Sequence, residues 1–168
     1  MKQARCILAV AVVLSVAVML ASCASLPGAQ PQFKATLTAA PGVQSSALGE
    51  VTFRLSPDGQ SLIYTLSVTN LKDVIMAHIH ISSAPGQPGD VGVWLYPPKA
   101  PPKLKAGTFT GVLSKGTITA ANFEGPLAGM TMADLVNRIK TGLAYVNVHT
   151  SACPDGEIQG TIRAAATS

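Results

Sequence analysis

Charged side chains are scarce in this sequence: Asp, Glu, Lys and Arg make up 12% of 168 residues, against 48% hydrophobic. That balance excludes a disordered, highly charged chain, which could bury too little apolar surface to fold. Cysteine is scarcer still, with 3 residues, Cys6, Cys23 and Cys153, spread too thinly for a disulfide scaffold. There is no basic cluster and no interleaving of aromatic with basic residues, so no nucleic-acid partner is expected. Histidine numbers 3, and all of it falls in two short apolar stretches.

The long apolar run that is present stands at the N-terminus. In "MKQARCILAVAVVLSVAVMLASC", Lys2 and Arg5 precede an uncharged, apolar stretch from Cys6 to Ala21 in which Ser15 is the one polar residue. The stretch is shorter than the roughly 20 residues a spanning helix needs. With the small residues that follow, it reads as a signal peptide over residues 1–22. Leu20-Ala21-Ser22-Cys23 resembles a bacterial lipobox. That resemblance implies cleavage before Cys23 and acylation of its thiol, palmitate among the acyl groups, anchoring the chain to a membrane. Ala24 in place of Asp resembles the outer-membrane sorting choice of a Gram-negative cell. The expected location is therefore the cell envelope, with the domain facing the periplasm or the exterior.

Lys2 and Arg5 leave with the leader, so the basic count falls from 12 to 10 against 8 acids and the net charge from +4 to +2. Positive charge then carries no functional information. Cys153 remains as an unpaired thiol, so cohesion must come from a core, which the roughly 145 remaining residues can supply.

Residues 23–32 form a tether rich in Pro, Gly and Gln, and residues 33–164 form one domain. Within it, alternation of apolar and polar residues recurs. Phe33, Ala35 and Leu37 share one face of Phe33–Ala39; Val51, Phe53 and Leu55 share one face of Glu50–Leu55. Leu62, Tyr64, Leu66 and Val68 do so in Ser61–Leu71. The Ser56–Gln60 stretch "SPDGQ" is a turn sequence and makes the last two a hairpin. Further strands are expected at Ile75–Ser82, Val91–Tyr96, Gly107–Leu113, Leu143–His149 and Glu157–Arg163. One helix is expected at Met132–Thr141, from the spacing of Met132, Leu135, Val136 and Ile139, with Thr131 and Asp134 at its start and Gly142 after it. The proline-rich Tyr96–Gly107 segment reads as a loop. The expected class is all-β: an antiparallel Greek-key β-sandwich with one short helix.

The histidines sit in "MAHIHI" and "YVNVHT". Strand parity puts Met76, His78 and His80 on one side, with Ala77, Ile79 and Ile81 towards the core. The same parity puts Tyr145, Asn147 and His149 opposite Val146 and Val148. If the strands meet, the three imidazoles form a cluster suited to copper or zinc, with Met76 and Cys153 as further candidate ligands. Solvated histidines, or histidines that hydrogen-bond loops, are the structural alternative. Trp94 reads as a core anchor, and Asp155 and Glu157 as members of a solvated face.

These stretches carry a family likeness. "AHIHISSAPGQPGDVGVWL" and "LAYVNVHTSACPDGEIQGTI" resemble the two halves of the CHRD domain, the module named from chordin that also occurs alone in bacterial secreted proteins. The resemblance runs from about Phe33 to Arg163 and includes the helix before the second motif. It implies a sandwich of immunoglobulin-like or superoxide-dismutase-like character, with no general enzymatic activity attached. Gln159 stands where the family often has Arg, and Cys153 lies in a turn that usually lacks cysteine. His78, His80 and His149 also resemble the copper ligands of copper-zinc superoxide dismutases, but the zinc-site residues and disulfide cysteines are missing.

Three function classes follow, in this order. The first is a lipid-anchored binding protein that holds copper or zinc through its histidines. The second is a structural or interaction module for an envelope protein or glycan. The third is a dismutase-like copper redox enzyme. No Ser-His-Asp arrangement, paired-carboxylate site or phosphate loop is present to support another catalytic class.

Overall fold

In a computed structural model, residues 32–165 are described. The signal peptide expected at residues 1–22, the lipidation site expected at Cys23 and nearly all of the expected tether lie outside these residues. Eight strands and one helix follow in chain order: β1 (Gln32–Ala39), β2 (Leu48–Leu55), β3 (Ser61–Ser82), β4 (Gly89–Tyr96), β5 (Lys105–Thr119), α1 (Met132–Lys140), β6 (Ala144–Thr150), β7 (Ile158–Thr161) and β8 (Arg163–Ala164). Among the described residues, no helix is long and apolar enough to cross a membrane.

The strands pair antiparallel in the order β2-β1-β7-β6-β3-β4, and β2 pairs again with β3. That second pairing closes the sheet into a barrel. The all-β expectation holds. Inside the barrel sit the alternate residues of each strand: Phe33, Ala35 and Leu37 of β1, Val51 and Phe53 of β2, and Leu62, Tyr64, Leu66 and Val68 of β3. Burial of each large side chain here contributes about 1.5–3 kcal/mol, which is what fixes the strand register.

Several elements differ from expectation: the strand expected at Gly107–Leu113 runs from Lys105 to Thr119, and the one expected at Glu157–Arg163 is β7 and β8. The strands expected at Ser61–Leu71 and Ile75–Ser82 are one strand of 22 residues. Asn70 and Asp73 take left-handed backbone, with φ of 56° and 51°, and the ladder to β5 shifts register there instead of breaking. β3 therefore pairs with β2 and β5 along its first half and with β6 and β4 along its second.

The helix begins as expected. The Asp134 N–H donates to Thr131 Oγ1 while the Thr131 N–H donates to Asp134 Oδ2, a reciprocal cap. Met132, Leu135, Val136 and Ile139 are buried against the core. α1 leads directly into β6, the strand that carries His149.

Candidate metal centre

β3 and β6 are neighbours, so the two histidine motifs meet. In register, Met76 faces His149, His78 faces Asn147 and His80 faces Tyr145. His149 is therefore diagonal to His78, a spacing that aromatic side chains bridge. Ala77, Ile79 and Ile81 point into the core, as parity requires. The opposite face is also covered: His78, His80 and His149 are 2%, 9% and 5% exposed. One ligand nitrogen from each imidazole lies within 4.8 Å of the others, and His78 Nδ1 is 3.2 Å from His149 Nε2. Nitrogens bound to one ion at about 2.0–2.1 Å lie at most roughly 4 Å apart, so side-chain adjustment of about an ångström would close the set.

Two of the rings are oriented by main-chain oxygens. His80 Nδ1 is 2.8 Å from Gly89 O, and His149 Nδ1 is 2.9 Å from Pro154 O. A carbonyl oxygen only accepts, so each Nδ1 must carry the proton and each Nε2 must keep its lone pair. Metal-binding imidazoles are commonly oriented by carbonyl contacts of this kind. Gly89 is needed at this place: a Cβ on it would come 2.3 Å from Ile81 O. Its N–H also donates to the Tyr145 hydroxyl at 3.3 Å.

Aromatic rings form the walls. Trp94 stands edge-on to His78 with centroids 4.2 Å apart, and Tyr145 stacks on His80 at 5.0 Å. Trp94 is thus half-buried beside the histidines, not a core anchor: it faces His78 across the β3–β4 ladder, on the outer side of the sheet. Register shifts before His78 and after Ile79 placed it beyond simple parity counting. Glu157 also departs from expectation. It is half-buried and accepts from Ser45 Oγ at 2.6 Å and from Thr150 Oγ1 at 2.7 Å, tying the loop after β1 to the end of β6. Asp155 is exposed, as expected. Met76 is half-buried opposite His149. Cys153 is half-buried in the following turn and lies outside the three-histidine group.

Burial keeps the imidazoles neutral. It is the main cause that pushes His78 from 6.5 down to about 3, with the charges of His149 and His80 adding to it. Burial also lowers His80 and His149, outweighing their carbonyl contacts and the nearby Asp90 and Asp155 carboxylates. When the chain unfolds, these rings regain ordinary basicity, so at acid pH the unfolded state binds more protons. The metal-free protein is expected to have its full stability above pH 6.5 and to lose it as pH falls towards 3. His78 alone changes stability by up to about 1.4 kcal/mol per pH unit in that window. Urea unfolding at neutral pH and at about pH 5 checks this; an unmoved midpoint would mean that the rings protonate within the folded state.

Fold and site together define a closed antiparallel β-barrel domain with a buried cluster of three neutral imidazoles. The CHRD domain matches residues 33–162, and the chain belongs to that family. No curated protein and no solved structure matches it.

Proposed function

We propose that this chain is a lipid-anchored extracytoplasmic CHRD-domain protein that binds a copper or zinc ion through His78, His80 and His149. The observation that carries this is the pair of imidazoles whose Nδ1 protons are held by Gly89 O and Pro154 O, which leaves both Nε2 lone pairs free of a proton. That of His149 faces His78 Nδ1 at 3.2 Å, and that of His80 is buried without a protein partner. The leader and the Leu20–Cys23 lipobox support the anchor and the envelope location. Met76 pairs with His149 across the β3–β6 ladder and is the candidate thioether donor of this reading, and Cys153, in the turn after β6, is its candidate thiol. The same reading takes the barrel as a flattened Greek-key sandwich, supported by the way β3 runs from the β2–β5 side to the β6–β4 side.

A second reading has its own support. A groove of about 510 Å³ runs beside the cluster, lined by Pro41, Val43 and Pro88 as well as Gln87, Tyr145 and Asn147, and these mixed apolar and polar, mostly uncharged walls suit a glycan or a peptide. A dismutase-like enzyme is the third reading, and it has less to stand on: among the described residues there is one such cluster, so a bridged second metal has no ligands.

The test is titration of the purified protein with Cu(I), Cu(II) and Zn(II), each against a competing chelator. Saturation at a single ion per chain is expected, with no superoxide turnover by the loaded protein. Absence of binding by all three ions would sink the metal reading and leave the groove as the functional surface.

A further inference from the structure

Among the described residues, three buried side-chain atoms have no hydrogen-bonding partner in the protein: His78 Nε2, His80 Nε2 and Asn147 Oδ1. They belong to one place. Asn147 is 4% exposed, pairs directly across the β3–β6 ladder with His78, and shares a strand face with His149. Directly opposed residues hold their Cβ atoms about 4.5–5.5 Å apart.

The amide's orientation is fixed by chemistry. Asn147 Nδ2 donates to Asp155 O at 3.1 Å, and because that oxygen only accepts, the nitrogen must face it. Oδ1 is left as the free acceptor. His80 and His149 are set by the same device. Three neighbouring side chains thus commit a donor to the loop carbonyls of Gly89, Pro154 and Asp155, and each keeps an acceptor. His78 has a single N–H to share among them. A buried set of acceptors so short of protons suits a cation. Gly156 holds the amide in place from outside: its φ is +121°, and a Cβ there would come 2.2 Å from both amide atoms.

We propose that Asn147 supplies a fourth donor, its Oδ1 joining the three imidazoles around a divalent ion. This rests on the metal reading above and sharpens it. Three imidazole nitrogens with one hard amide oxygen suit Zn(II) or Cu(II) better than Cu(I), which prefers soft sulfur donors.

The experiment compares the full-length protein with its Asn147→Ala variant, titrated with Zn(II), Co(II) and Cu(I). Zn(II) and Co(II) affinities are expected to fall about 100-fold, as for one lost donor of four, with a changed visible spectrum of the bound Co(II) and an unchanged Cu(I) affinity. Unchanged Zn(II) affinity and Co(II) spectrum would overturn the proposal. So would a parallel loss of Cu(I) affinity, which would indicate a general disturbance of the cluster. A readout that needs no variant is the side-chain carbonyl resonance of Asn147 in ¹³C-labelled wild-type protein. It is expected to shift on Zn(II) loading, and a stationary resonance in the loaded protein overturns the proposal. Failure of the wild type to bind any metal would remove the three-histidine reading as well. Binding that depends on the histidines but not on Asn147 would remove the fourth donor alone.

Discussion

Alanine at position 160 is expected to destabilise the barrel by more than about 4 kcal/mol, enough to leave little folded protein. A Cβ on Gly160 would lie 2.1 Å from Thr36 O and 2.9 Å from Thr36 C, both main-chain atoms. Relief requires β1 and β7 to move apart. Their seam is short, with Thr38 opposite Gln159 and Ala39 opposite Ile158, and it is the join between the β2–β1 pair and the β7–β6 pair. Opening it would turn a closed barrel into a sheet with two new edges. Gly86→Ala is the control: nothing lies within 4 Å of its Cβ position, and φ is +77°. The expected cost there is only about 1–2 kcal/mol of left-handed backbone. Urea denaturation of both variants measures the difference; a Gly160→Ala protein as stable as the control would show that the seam yields.

Replacing His78 and His80 together with alanine is expected to lower metal affinity by about 10⁴-fold while the barrel stays folded. Four-donor structural zinc sites bind with about 10–16 kcal/mol, or roughly 3 kcal/mol per donor, so two lost donors remove roughly 6 kcal/mol. Folding is expected to survive because both rings stand on the outer face of β3, while Ala77, Ile79 and Ile81 hold the core from the other. The substitutions also remove two buried nitrogens that have no protein partner. Competition titration and circular dichroism on the same samples check the two halves of the expectation. An affinity within tenfold of wild type, on a folded protein, would place the ion elsewhere.

Much of this was legible before any coordinates. The Ser56–Gln60 turn, the Met132–Ile139 spacing and the parity of His78, His80 and His149 are local patterns, and local patterns survive folding when one face must be buried. What the sequence hides is register across distant strands. That His149 lies diagonal to His78, and that Trp94 walls the site, depend on bulges flanking the His78–Ile79 pair and between Val74 and Met76. The continuity of β3 was hidden for a related reason: Asn70 and Asp73 look like turn residues, and they do adopt left-handed backbone, but strand β5 holds the chain straight through them. Glu157 was hidden because its partners, Ser45 and Thr150, come from a loop and a strand end with no pattern linking them to it.

The groups that aim His80, His149 and Asn147 are the carbonyl oxygens of Gly89, Pro154 and Asp155. An alanine scan leaves every one of these oxygens in place, because each residue type carries a carbonyl. Such a scan would credit the site to its four side chains and overlook what steers them. Altering the steering means altering the path of the chain, by inserting or deleting a residue in the 83–88 or 151–156 loops. Those two loop lengths, and not any side chain within them, are the handle by which the aim of these side chains could be redesigned.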